Sequence, residues 1–246
     1  MREVLLLLAA GIGGFIGSLM SGGSMTTFFI LTLLNIPTKT AVGTLKMVIA
    51  GLTLVSFLTY LRAGVLNLKI ALPLVLSSLV GSYVGSAFLL SVPDNIANLF
   101  VMVFLIVGTY FTVKESQEVP TFREENLMLQ LLVGLAIGIY IGILGIASTL
   151  VVISFLRMFF KVELLEANAI AKLIIFFNNF IAFITYARNG FVDYPIGMLL
   201  IFPVIVGSWF GAKTALKLDS KHLLKEVFLG ISILTLINLL RNIMGI

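Results

Sequence analysis

Cysteine is absent from this 246-residue chain, so disulfides, thiolate metal sites and thiol redox chemistry are excluded. There is a single histidine, His222, in a Lys-rich stretch, which leaves metal catalysis almost no ligands. Charge is scarce too: 11% of the residues are Asp, Glu, Lys or Arg, against about 25% in a soluble domain. A soluble enzyme, a nucleic-acid binder and a disordered regulator are all excluded by that figure. What is present is apolar surface, with 60% hydrophobic residues and a mean hydropathy of +1.16. This is the composition of a chain that lives in a bilayer. Its formal net charge of +5 is therefore read as topology before it is read as affinity for an acidic partner. Residues 1–11 resemble a signal peptide superficially. The apolar stretch runs on without a processing site, however, and is read as a membrane segment.

The apolar runs fall into two sets of four: Val4–Leu34, Thr40–Leu61, Leu68–Leu90 and Ile96–Val113, then Leu127–Phe160, Leu165–Ala187, Val192–Leu216 and Leu223–Ile243. Each is long enough to cross about 30 Å of hydrocarbon, which takes roughly 20 helical residues. The polar stretch Lys114–Asn126 separates the sets. With a shift of 126, residues 41–90 and 167–216 share 15 identities in 50 ungapped positions, among them Lys46 with Lys172, Tyr60 with Tyr186, and Gly64 with Gly190. Upstream a shift of 125 pairs Gly13 with Gly138, Gly17 with Gly142 and Ser24 with Thr149. The chain is an internal duplication: a repeat at 1–113, a linker at 114–126 and a second repeat at 127–246.

Each repeat opens on a segment too long for one crossing and too short for two. Ser21-Gly22-Gly23-Ser24 interrupts the first, and Gly145-Ile146-Ala147-Ser148-Thr149 the second. These breaks predict helices broken at depth and turning back, a geometry tolerated where backbone is buried in protein or lines a cavity. Charge counting agrees. If each opening segment turns back, ten Lys and Arg share one face, and the other keeps Arg2, Lys39, Arg188 and Arg241. That asymmetry places the linker in the cytoplasm and both termini outside. The expected fold is an all-α polytopic membrane protein of two inverted-topology repeats, each a broken, re-entrant hairpin plus three transmembrane helices, with 8–10 membrane segments in all.

Lys46 and Lys172 are the only Lys or Arg deep inside predicted spans, the others lying near span ends or in loops, and no Asp or Glu lies deep in any span. A charge at the centre of a membrane helix costs on the order of 3 kcal/mol on insertion scales, so each lysine must face a cavity or a partner. Seven residues beyond them stand Thr53 and Asn179, and seven further Tyr60 and Tyr186, which puts each trio on one helix face. Asn168 falls near that face. The second arms of the hairpins start near Ser24 and Ser148-Thr149, where free amide N–H groups favour negative charge. Together these features make a site for a small anion. It comprises Gly22, Gly23, Ser24, Lys46, Thr53, Ser148, Thr149, Lys172 and Asn179. A plainer reading stays open, in which the lysines snorkel to headgroups or bond exposed helix carbonyls. The glycines at 81, 85, 207 and 211 are read as helix-packing positions, and Tyr60 and Tyr186 equally well as interfacial anchors.

The stretches Gly17-Ser-Leu-Met-Ser-Gly-Gly-Ser24, Ala41-Val-Gly-Thr-Leu-Lys46 and Tyr60-Leu-Arg-Ala-Gly64, with Ala169 to Lys172 and Asn179 in the second half, resemble the sulfite exporter TauE/SafE family of anion permeases over nearly the whole chain. The second hairpin has only Gly145 where glycines cluster in that family, and Leu45 and Ile175 stand where asparagine is frequent. The resemblance implies a substrate such as sulfite, a sulfonate or a related sulfur-containing or organic anion. The expectation is a secondary transporter in the cell membrane, working by alternating access with no cofactor, no metal and no nucleic-acid partner. Its coupling ion, H+ or another, is left open. An anion channel is the first alternative and a non-transporting scaffold the second. An enzyme is not expected, because no intramembrane His, Cys or acid pair is available for acid–base or nucleophilic work.

Overall fold

The computed structural model describes residues 2–19, 23–113 and 126–217. The described residues are helical throughout, with short turns between. In the first half these are α1 (Arg2–Leu19), α2 (Gly23–Leu33), α3 (Thr38–Arg62), α4 (Leu68–Ser91) and α5 (Asp94–Val113); in the second, α6 (Leu127–Ile143), α7 (Ser148–Phe160), α8 (Leu164–Arg188) and α9 (Tyr194–Ala215). Both opening segments are broken where glycine and hydroxyl residues interrupt the apolar run. Gly22, His222, the linker residues 114–125 and the last apolar run, Leu223–Ile243, lie outside the described residues.

Among the described residues, α3, α4, α8 and α9 are long and apolar enough to cross a membrane. The second arms of the hairpins are not. At 1.5 Å per residue, the 11 residues of α2 and 13 of α7 span roughly 16 and 20 Å, short of the hydrocarbon thickness. The first hairpin folds back on itself: Gly17 lies against Gly23 and Gly13 against Thr26, an antiparallel register.

Local sequence sets the element ends. Asn67, Asn126 and Asp193 accept hydrogen bonds from the first amides of α4, α6 and α9, at Lys69, Met128 and Ile196. The C-termini of α3 and α8 close on Gly64 and Gly190, with φ of 71° and 77°. There the Val65 and Phe191 amides reach back to the Tyr60 and Tyr186 carbonyls, the bond pattern of a left-handed glycine stop.

Polarity runs opposite to that of a water-soluble fold. Ser18, Ser56, Ser82, Ser208, Thr53, Asn178 and both intramembrane lysines are buried, whereas Leu76, Met198 and Phe202 are exposed on α4 and α9. Helices α3 and α8 form the inner pair. They run antiparallel, with Gly43 beside Tyr186, Phe57 stacked on Phe176 at 6.3 Å, and Tyr60 beside Asn168. Outside them, α4 packs in parallel on α6 and α1 in parallel on α9, each pair joining one half to the other. Glycines make this approach close. A methyl group on Gly81 would meet the Leu135 carbonyl, on Gly207 the Gly11 carbonyl, and on Gly211 the Phe15 carbonyl. Side-chain hydroxyls reinforce the contacts. Ser208 donates to the Leu52 carbonyl at 2.6 Å and Ser82 to the Asn178 carbonyl at 2.7 Å, positions that correspond under the 126-residue shift. Ser18 donates to Ser208 at 2.7 Å, and the Ser56 hydroxyl lies 2.6 Å from that of Ser18 and 2.9 Å from that of Ser208.

Candidate anion site at the hairpin tips

The two helix breaks meet. Ala147, in the left-handed region at φ 58°, donates its amide to Ser24 Oγ at 3.2 Å, so the tip of one hairpin touches the tip of the other. Between them lies a cavity lined by Gly17, Gly23, Ser24, Thr53, Ser148 and Thr149, with Ile49, Leu52 and Ile175 as its apolar wall. About 10 Å³ is free to the centre of a water-sized sphere, room for one water molecule at most. Helices α2 and α7 begin at this cavity, at Gly23 and Ser148. The first amides of a helix have no intrahelical acceptor, and the macrodipole places partial positive charge there.

Five of the nine sequence-predicted residues, Gly23, Ser24, Thr53, Ser148 and Thr149, thus line one cavity. Thr53 donates its hydroxyl proton to the Ile49 carbonyl of its own helix at 2.7 Å. Asn179 is buried but does not line the cavity; its amide donates to Ile175 of its own helix at 2.8 Å. Gly22 falls outside the described residues.

The lysines are fully buried, and both bond the carbonyls of broken helices in the opposite half. Lys46 donates to the Ile141 carbonyl and, at 2.7 Å, to the Leu144 carbonyl at the end of α6. Lys172 donates to the Gly17 carbonyl of α1 at 2.5 Å and to Thr149 Oγ1 at 3.1 Å. Through Thr149, Lys172 touches the cavity wall. Lys46 stands behind it, beside Gly145. The carbonyl-bonding reading of the sequence describes these contacts, and snorkelling does not.

The tyrosines complete this arrangement. Tyr60 is buried and donates to the Ser18 carbonyl at 3.0 Å, and Asn168 donates to the Leu19 carbonyl and to the Tyr60 hydroxyl, each at 3.0 Å. Tyr186, also buried, reaches the Ile143 carbonyl at 3.5 Å. The carbonyls of Gly17, Ser18 and Leu19 at the end of α1 are therefore all occupied by side chains of α3 and α8. Tyr60 and Tyr186 are thus not interfacial anchors. The signal that pointed to them was their common repeat position, fourteen residues beyond each lysine. Leaving such carbonyls buried and unbonded would cost about 1–3 kcal/mol each.

In formal side-chain charge the centre is one-signed, although the carbonyl ends of α1 and α6 also meet there. Two ammonium groups and two helix N-termini converge on the hairpins, and among the described residues no Asp or Glu is buried. The ion pair of Lys39 with Asp94 at 3.1 Å lies elsewhere, on a carboxylate that is 83% exposed.

A bundle of apolar helices with interrupted segments meeting at a buried polar centre defines a polytopic membrane protein with the organisation of a transporter. A family profile described as Sulfite exporter TauE/SafE matches residues 6–239. The chain belongs to that family and is a membrane transporter. It is 29% identical to the probable membrane transporter protein ORF9 of Sinorhizobium sp, over 96% of this chain and 92% of that one. It is 27% identical to the probable membrane transporter protein YdhB of Bacillus subtilis, over 88% and 90% of the two chains. To the probable membrane transporter protein MJ0441 of Methanocaldococcus jannaschii it is 29% identical, over 89% and 88%. No solved structure matches the chain significantly.

Proposed function

We propose that the chain is a secondary transporter of a small anion, bound between the hairpin tips and exposed to each side of the cell membrane in turn. The observation that carries this reading is the meeting of two helix N-termini and their hydroxyls around one small cavity, with buried ammonium groups nearby and no buried carboxylate among the described residues. Backbone amides at Gly23, Ser24 and Thr149 and the Ser148 hydroxyl suit an oxyanion, the Ser148 amide being taken by the Gly145 carbonyl at 3.3 Å, and glycine lets the anion approach the backbone. Gly22, Lys46, Thr53 and Lys172 complete the proposed shell, with the lysines acting through charge, and Asn179 belongs to it only through the helix face it shares with Lys172. The family's description names sulfite export, which makes sulfite and related sulfur oxyanions or sulfonates the first substrates to test.

The architecture proposed is a pair of inverted repeats with outside termini and a cytoplasmic linker. The antiparallel course of α3 and α8, and the exchange of partners by which α4 packs on α6 as α9 packs on α1, support it. A one-water cavity favours an occluded state over an open pore. Admitting an anion requires the hairpins to part, which is the movement alternating access needs.

The test is a thermal-shift series on purified protein with sulfite, sulfate, thiosulfate, alkanesulfonates and carboxylates. One anion class should raise Tm saturably, by about 2.7 kcal/mol of stabilisation at a hundredfold excess over Kd. Flux of that anion in vesicles should then saturate with concentration. Indifference to every anion would refute the reading, and unitary currents would replace transporter by channel.

A further inference from the structure

The C-terminal ends of broken helices carry partial negative charge and unpaired carbonyls, and discontinuous transporter helices use such ends to hold a coupling cation. Here the oxygens are already engaged. The Lys46 ammonium sits on the Ile141 and Leu144 carbonyls, and the Lys172 ammonium on the Gly17 carbonyl and the Thr149 hydroxyl. The oxygens named are uncharged carbonyls and a hydroxyl, ligands that suit a monovalent cation. Tyr60, Asn168 and Tyr186 occupy the adjoining Ser18, Leu19 and Ile143 carbonyls.

We propose that Lys46 and Lys172 are tethered cations: their ammonium groups fill, at the ends of α6 and α1, the positions a free sodium or potassium ion would otherwise take, so anion movement draws on no sodium or potassium gradient. Each tether comes from the opposite half of the chain, so the charge that neutralises a hairpin travels with the helix packed against it. The proposal rests on the anion-transport reading only for its consequence in coupling; the occupancy of the helix ends stands on geometry alone.

The test compares purified wild type with Lys46→Ala and Lys172→Ala by thermal unfolding in sodium, potassium, methylammonium and choline chloride at equal ionic strength. Wild type should give the same Tm in all four salts. Each variant should lose Tm in choline and regain it saturably with sodium, potassium or methylammonium, which fit where choline does not. A saturable sodium- or potassium-specific rise in wild type would overturn the proposal, as would variants indifferent to every small cation. Should an alanine variant not fold, the glutamine variant at the same position, which keeps one amide donor, carries the same comparison with the same outcomes. Because no transported oxyanion is varied, this experiment can fail while the anion panel succeeds, and the reverse.

Discussion

Replacing Tyr60 by Phe removes one hydroxyl from a fully buried ring and leaves its bulk in place. Two hydrogen bonds go with it, the donation to the Ser18 carbonyl and the acceptance from Asn168, both at 3.0 Å. Hydrogen bonds between membrane helices average about 0.6 kcal/mol with a ceiling near 1.7, so the pair contributes about 1.2 kcal/mol. The cost approaches 3 kcal/mol if the Ser18 carbonyl finds no other donor. At roughly 2–4 °C per kcal/mol for a chain of this size, Tyr60→Phe should lower Tm by at least 2–5 °C. Tyr186→Phe occupies the matching position but loses only a 3.5 Å contact, beyond the range of a good O–H···O bond, and should lower Tm by less than about 2 °C. Fluorescence of Trp209, the only tryptophan of the chain, can follow both transitions in detergent or nanodiscs. An unchanged Tm for Tyr60→Phe, or a larger loss for Tyr186→Phe, would refute the carbonyl-capping account.

Gly207→Ala should destabilise by about 1–3 kcal/mol or more, since its methyl meets backbone across the α1–α9 contact. Gly64→Ala, with open space but φ of 71°, should cost only the left-handed strain of about 1–2 kcal/mol; equal losses measured by thermal unfolding would contradict the packing argument. Ser24→Cys with Ala147→Cys supplies the only thiols in the chain, at positions joined by a 3.2 Å hydrogen bond. Oxidation should crosslink them and stop flux, and reduction should restore it. A crosslinked protein that still transports would mean that the tips need not part. Asn189→Cys should react with an impermeant maleimide added outside intact cells, and Ala63→Cys only after permeabilisation; the reverse pattern would invert the topology.

The described helices and both breaks were legible in the sequence because each has a one-dimensional signature, apolar length in one case and a glycine–hydroxyl cluster in the other; the duplication is itself a sequence observation, identities at a fixed shift. The roles of individual side chains were less so. A tyrosine near the end of a span reads as an interfacial anchor, yet Tyr60 closes on a carbonyl of α1, a partner set by packing across the chain. Helical spacing placed Asn179 on the face of Lys172, but its amide is taken by its own helix at Ile175. The lysines illustrate the general difficulty. Periodicity gives the face on which a charge lies, and only the tertiary fold gives which end of which broken helix meets it. The hydroxyls of Ser24, Ser148 and Thr149 gather at the cavity because both breaks fall at the same repeat position, and that much a sequence records.

The central claim is that buried positive charge beside the hairpin tips serves an anion. Uptake of radiolabelled sulfite, or of whichever anion stabilises the protein, into vesicles holding wild type or the Lys46→Met, Lys172→Met double variant tests it most directly, with a melting curve to show that the variant is folded. Saturable uptake by wild type and none by the folded variant is the predicted result. Undiminished uptake by the variant would contradict the account.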